Sequence, residues 1–183
     1  MPWIVSLLTR TVELCPHCLY FHSKKLIRWQ IAKAGTSGFV TGLGGIITLP
    51  IAIPANIASV IYVQIRMIAA IAYMGGYDIH DDRVKSLVYL CLCGSAATDV
   101  IKGVGIQIGT KLSVSAINKI SGATLTKINQ AVGFRLLTKF GQTGAINLGK
   151  AVPIIGGVIG GTIDSITTKT IGKVATNTFI EKL

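Results

Sequence analysis

An uncharged stretch of 32 residues, from Ala34 to Ile65, contains five glycines and many aliphatic residues. Its first part, residues 35–49, is predicted to form a helix in which glycines recur at spacings of three and four and therefore share one face. Such a face lets a second backbone approach closely. The glycines expected to line it are Gly38, Gly42 and Gly45. Pro50 is predicted to end this helix, because proline has no N–H and clashes with the preceding turn.

The next predicted helix runs from Pro54 to Met74, since proline suits a first helical turn and Gly75-Gly76 follows as a stop. One side of it is aliphatic and the other carries a polar stripe that includes Arg66. Its length of about 31 Å matches a bilayer core. A helix with two different sides is nevertheless expected to have two different neighbours, rather than lipid all round.

The chain before and after these segments is also predicted to be helical. Residues 3–34 form a first helix, interrupted at Pro16. Residues 78–102 form a later one, with Asp78 as its expected N-cap. Residues 123–140 form another, because their apolar residues recur at helical spacing.

Pro153 opens the last predicted helix. This helix has a glycine face of its own, formed by Gly157, Gly160 and Gly161. We therefore expect an all-α fold: a single domain over residues 1–183, built as a compact bundle of about six to eight helices. The two glycine-lined apolar helices are expected to pack at its centre.

The composition favours a membrane partner over nucleic acid. Half of the 183 residues are hydrophobic and only 14% are charged, against about 25% in an average soluble domain. The net charge is +11, yet the basic residues are scattered along an apolar chain. Nucleic-acid-binding proteins instead cluster them on polar surfaces beside stacking aromatic residues. A cytoplasmic chain is predicted, because the sequence begins without the basic segment of a signal peptide.

Two groups of residues are candidates for membrane contact. In the first helix, aromatic side chains would anchor at the interface while basic ones meet anionic headgroups; these are Trp3, Phe21, Trp29, Lys24, Lys25 and Arg28. An ordinary surface helix would show the same pattern. The hairpin around the prolines is the candidate inserting element, through Phe39, Ile46, Ile47, Leu49, Pro50, Ile51, Ile53 and Pro54.

The segment 37–78 resembles the core signature of the EcsC family, most clearly from Arg66 through to Gly76-Tyr77-Asp78. The segment 149–179, with its proline and tandem glycines, resembles the family too. The resemblance covers residues 35–179, which leaves 1–34 as a separate N-terminal helix. It implies an α-helical, membrane-associated protein with no established activity, in a family named for a bacterial protein encoded beside an ABC transporter. Many members carry an acidic residue beside the paired prolines; this chain has none.

No motif in the sequence predicts a reaction. Residues 15–18 have the CxxC spacing of disulfide oxidoreductases, but the βαβ context of that chemistry is missing. The cysteines of residues 91–93 have the wrong spacing for a zinc knuckle, so we interpret them as small apolar residues. The glycine-rich segment 35–45 lacks the Lys-Ser/Thr of a P-loop. We therefore expect no catalytic residue, no metal and no cofactor.

Three charged residues lie inside otherwise apolar helical segments: Arg66, Asp99 and Asp164. Burial of an unpaired charge is costly, so buried charges should be paired. We hypothesise a buried polar core in which Arg66 meets Asp164 or Asp99. The alternative is that all three reach solvent.

These features together predict a non-enzymatic protein that is peripheral or partly embedded at the cytoplasmic side of a membrane. It would bind lipid or a membrane protein, and no nucleic acid. Two alternatives remain open. One is a soluble helical carrier of an apolar ligand, and the other is a membrane-inserting effector or toxin.

Overall fold

A computed structural model of the chain describes residues 16–43, 45–101, 112–148 and 153–180. Across these ranges the chain forms helices and no strand, which confirms the all-α prediction. The elements are α1 (Pro16–Leu43), α2 (Gly45–Met74), α3 (Asp82–Leu92), a 3-10 turn (Gly94–Ala96), α4 (Ala97–Ile101), α5 (Val114–Asn118), α6 (Gly122–Leu148) and α7 (Pro153–Phe179).

The predicted break at the paired prolines is wrong. Helix α1 ends at Leu43 and α2 starts at Gly45, then continues through both Pro50 and Pro54. A proline removes one backbone hydrogen bond but leaves the ladder on either side. Packing of α2 against α1, α3 and α7 offsets that loss. The expected boundary between residues 34 and 35 is also wrong, because α1 runs across it without interruption.

The start and the end of α3 differ from the prediction as well. The N-cap is Asp81, whose carboxylate accepts a hydrogen bond from the Arg83 N–H at 2.7 Å. Asp78, the expected cap, instead accepts from the His80 N–H in the preceding turn. Gly94 then adopts a φ of +61°, a conformation that L side chains rarely adopt, and this ends the helix well before residue 102.

Helices α1 and α7 are antiparallel and pack backbone against backbone. A Cβ added to Gly161 would lie 2.8 Å from the carbonyl oxygen of Gly35, and one added to Gly38 would lie 2.8 Å from that of Gly160. Gly157 is buried in the same interface. Ordinary side chains would hold the two helices further apart. The prediction of two glycine-lined helices packed together is therefore confirmed. Gly45, however, belongs to α2 and not to the glycine face of α1.

The hydrophobic core occupies one end of the three long helices. Among the described side chains, the core cluster extends no further than Ile31 on α1, and it begins at Ile65 on α2 and at Ile171 on α7. Helices α3 and α5 and the described side chains of α6 contribute to it as well. Helix α1 therefore continues about 18 Å beyond the core, at 1.5 Å per residue. We call the part beyond the core the three-helix projection; it comprises residues 34–43 of α1, 45–60 of α2 and 153–168 of α7.

The glycine contact generates a stability prediction. Gly161→Ala should lower the free energy of unfolding by about 1–3 kcal/mol, because its Cβ would force the α1 backbone away. The matched control is Gly133→Ala in α6, where an added Cβ meets nothing within 4 Å. That change should raise stability by about 0.5–1 kcal/mol, since alanine is the better helix former. Thermal melts followed by circular dichroism measure both; a Gly161→Ala chain as stable as the parent would contradict the packing.

Candidate functional site

The surface of the three-helix projection carries no charged side chain. Within its three segments the sequence contains a single charged residue, Asp164, and that residue is buried. Large apolar side chains are exposed instead, with Val40 at 60% exposure. They belong to both α1 and α7: Phe39, Val40, Leu43, Val158 and Ile159. An uncharged, apolar helical end beyond the core is an unusual surface to leave in water.

Three threonine hydroxyls on this projection are satisfied inside their own helices. Thr36 donates to the carbonyl oxygen of Ala32 at 2.8 Å, and Thr41 donates to that of Ser37 at 2.8 Å. On α7, Thr162 donates to the carbonyl oxygen of Val158 at 2.7 Å. A threonine hydroxyl that donates to the preceding turn already has an acceptor and does not require one from water. These polar residues therefore do not oppose transfer of the projection into an apolar medium.

A buried polar network joins the three helices within the projection. The Asn56 amide donates to the Asp164 carboxylate at 3.1 Å, and Ser37 donates to the Asn56 side-chain oxygen at 3.0 Å. Asp164 also lies directly against the backbone of Gly38. The glycine thus makes room for a carboxylate that contacts all three helices. A hydrogen-bonded network of this kind fixes the register of helices that small residues alone would allow to slide.

The expected partner of Asp164 is wrong. Arg66 is exposed and lies against Tyr62 on its own helix, with the guanidinium 5.5 Å from the ring centroid and 3.4 Å from the hydroxyl. Asp99 is exposed too, in the first turn of α4, where the helix dipole favours an acid. Of the three hypothesised core charges only Asp164 is buried. The neutral amide of Asn56, also on the polar stripe of α2, is the partner of Asp164 in place of Arg66.

A second buried contact was not predicted from the sequence. The Gln64 amide donates to the Thr168 hydroxyl at 3.1 Å, and both side chains are buried. It links α2 to α7 near the base of the projection. Gln64 and Asn56 are eight residues apart, and this spacing puts both on one face of α2. That spacing is the signal that the sequence offers for Gln64, which lies about 160° around the helix from Arg66.

Basic and aromatic side chains of α1 lie on the surface, as an interfacial helix would require. Phe21 is 64% exposed and Trp29 58%. The basic residues Lys24, Lys25 and Arg28 are exposed as well. Two cations cover aromatic rings, with the Lys24 ammonium 4.3 Å from the Tyr20 ring centroid and the Lys33 ammonium 5.2 Å from that of Trp29.

Several predicted contact residues cannot be placed. Trp3 lies outside the described residues. For Ile46, Ile47, Leu49, Pro50, Ile51, Ile53 and Pro54 the helical backbone is described and the side chains are not, and for Gly42 and Gly45 only the helical backbone is described. A different apolar pair is exposed on α6, where Phe134 is 69% and Leu137 75% exposed.

One helical segment, Ala55–Met74, is long and apolar enough to cross a membrane by length and composition. A third of its apolar window is buried inside the protein. Its later turns supply Met67, Ile68 and Ile71 to the hydrophobic core. The core helix of a soluble protein can have the same length and hydropathy. These two properties are therefore weak evidence that the segment spans a membrane.

The motif segments 37–78 and 149–179 both lie within the region that one family model matches. A family model described as the EcsC protein family matches residues 19–181. The chain belongs to the EcsC family. The match begins within α1, so this helix is part of the EcsC region and not an addition to it. No curated protein and no solved structure matches the chain.

Two of the cysteines are part of the core. Cys91 on α3 and Cys93, the C-cap of that helix, are buried, and burial raises the pKa of the Cys91 thiol to about 12. Such a thiol stays protonated and unreactive at neutral pH. Among the residues that the structure describes, no three His, Cys, Asp or Glu side chains come together as a metal site.

The buried network can be tested by removing its amide. Asn56→Leu should lower the free energy of unfolding by about 1.5–3 kcal/mol, because a hydrogen bond to a buried carboxylate is lost. The control is Arg66→Met on the same helix. That change should alter stability by less than about 0.5 kcal/mol, since Arg66 is exposed. Chemical denaturation measures both, and the opposite order would restore Arg66 as the buried partner.

Thiol reactivity provides a second test. In a Cys15→Ser chain treated with iodoacetamide at about pH 8, Cys18 should be alkylated while Cys91 and Cys93 stay protected. Cys18 is partly exposed, whereas the other two are buried. Mass-spectrometric mapping before and after unfolding in guanidinium measures the difference. Rapid labelling of Cys91 in the folded chain would contradict its place in the core.

Proposed function

We propose that this EcsC-family protein is a non-enzymatic, membrane-associated protein. The three-helix projection would enter the apolar part of the bilayer while the core remains outside. The observation that carries the proposal is the charge-free surface of the projection, which extends beyond the hydrophobic core. Burial of exposed apolar side chains in lipid would supply the free energy, at about 25 cal/mol per Å².

The hydrogen-bonding pattern supports the same proposal. Lipid offers no partner to a bare hydroxyl or carboxylate, so polar groups that enter it must be satisfied within the protein. Thr36, Thr41 and Thr162 each donate to their own helix. The one charge, on Asp164, lies inside the three-helix contact and accepts from Asn56.

The cytoplasmic side fits the remaining properties. The net charge of +11 suits the cytoplasmic leaflet, whose surface potential is negative. The partner proposed here is therefore lipid.

Vesicle flotation tests the proposal. The double variant Val40→Asp/Leu43→Asp should lose vesicle binding, because each aspartate placed in hydrocarbon costs about 2.5–3.5 kcal/mol. The matched control is Phe134→Asp/Leu137→Asp, which adds the same charge to the exposed apolar pair on α6. All four positions are exposed, so both variants should keep the fold, checked by circular dichroism.

The two variants separate the possible results. Loss of flotation in the projection variant alone supports the proposal. Loss in the α6 variant alone would move the membrane-contacting surface to α6. A parent chain that does not float with vesicles, and that fractionates from cells without membranes, would refute membrane association.

A further inference from the structure

At the base of the three-helix projection, basic and aromatic side chains from all three helices lie within about 9 Å of one another along the helix axes. We call this group the belt; it comprises Arg28, Trp29 and Lys33 of α1, Tyr62 and Arg66 of α2, and Lys169 of α7. We infer that the belt binds the headgroups of anionic phospholipids and stops the projection after it has entered a single leaflet. This inference rests on the proposed membrane association and adds the lipid class, the orientation and the depth.

Contacts between the helices place three of the belt cations at a common level. Gln64 donates to Thr168, and Arg66 and Lys169 lie two and one residues beyond this bond, so α2 and α7 bring their cations to the same height. Lys169 lies eight residues beyond Gly161, whose missing Cβ faces the carbonyl oxygen of Gly35. Because α1 and α7 are antiparallel, Arg28, seven residues before Gly35, reaches the same level.

The contact between α1 and α2 independently places Arg28 and Arg66 at a common level. Ser37 of α1 donates to Asn56 of α2. Arg28 lies nine residues before Ser37, and Arg66 lies ten residues after Asn56. The two helices are antiparallel, so both steps lead about 14 Å away from the tip, at 1.5 Å per residue. Three cations, one from each helix, therefore surround the base of the projection.

The chemistry of the belt matches a membrane interface. Trp29 and Tyr62 are exposed, and these two residue types are enriched at the level of lipid headgroups. Each carries a cation over its ring, Lys33 at 5.2 Å and Arg66 at 5.5 Å. No Asp or Glu occurs anywhere in residues 16–77. Neither α1 nor α2 therefore contributes an acidic neighbour that would compete with lipid phosphates for this positive charge.

The dimensions favour entry into one leaflet. From Lys33, the belt cation nearest the tip, to Leu43 at the end of α1 is about 15 Å along the helix. A bilayer core is about 30 Å thick, so one leaflet contributes about 15 Å. With the belt among the headgroups, the end of α1 would reach the middle of the bilayer. Deeper entry would carry the cations into hydrocarbon.

The lipid class is tested with two triple variants, each of which removes three positive charges. Arg28→Gln/Arg66→Gln/Lys169→Gln removes three of the four belt cations, and Lys119→Gln/Lys127→Gln/Arg135→Gln neutralises three exposed cations on the α5–α6 side. The probes are vesicles of phosphatidylcholine with and without phosphatidylglycerol. Each cation near an anionic surface contributes about fivefold to partitioning. The belt variant should therefore lose about a hundredfold on the anionic vesicles, and the control should lose far less.

Tryptophan fluorescence tests the depth. The chain has two tryptophans, so Trp3→Phe leaves Trp29 as the reporter of the belt. Trp3→Phe/Trp29→Phe/Leu43→Trp instead places the reporter at the end of α1. Lipids brominated near the headgroup should quench Trp29 most, and lipids brominated near the end of the acyl chain should quench the reporter at position 43 most.

Each negative result would overturn a different part of the proposal. A parent chain that binds neither kind of vesicle refutes the proposed function. Equal binding to neutral and anionic vesicles, or equal losses in the two triple variants, leaves membrane association standing and overturns the role of the belt. Equal depth for the two tryptophan reporters would mean that α1 lies flat on the surface, which overturns the orientation.

Discussion

The contact on which the rest of the structure depends is the close approach of the α1 and α7 backbones at their glycines. Gly38 and Gly161 each leave less than the space of a methyl group between two main chains. Dispersion forces act at short range, so this proximity gives the two helices a long, continuous contact without large side chains. It is the reason that two helices can extend beyond the hydrophobic core and remain together. An ordinary pair of helices would need more bulky apolar residues between them.

Close packing of small residues brings a cost in specificity, which the polar network offsets. Smooth glycine faces can slide past one another, whereas the bond between Asn56 and Asp164 exists in one register only. The carboxylate fits because Gly38 has no side chain. Glycine packing and polar bonding therefore depend on each other. The same arrangement hides the single charge of the projection, and this leaves its outer surface apolar.

The sequence predicted the elements better than their partners. Glycine spacing identified both packed faces, because period and residue size are local properties. The turn between α1 and α2 was misplaced at Pro50, since the rule that proline ends a helix ignores packing on either side. The partner of Asp164 was also misassigned. A search for opposite charges selected Arg66, whereas the helix faces bring an amide, Asn56, to the carboxylate. Which residues of α1, α2 and α7 share one level depends on tertiary register, which no local pattern contains.

The distribution of charge along the three helices argues for an anchor and against a simple span. A spanning helix has interfacial residues at both ends of its apolar part, whereas the described belt lies at the base alone. The later turns of α2, which would have to cross with the rest of Ala55–Met74, are instead occupied by contacts to the core. Deeper entry would carry the belt cations into hydrocarbon, at about 2.5–3.5 kcal/mol for each charge. This cost favours shallow entry, in which apolar burial is large enough to hold the protein and small enough to be reversed by loss of the headgroup contacts.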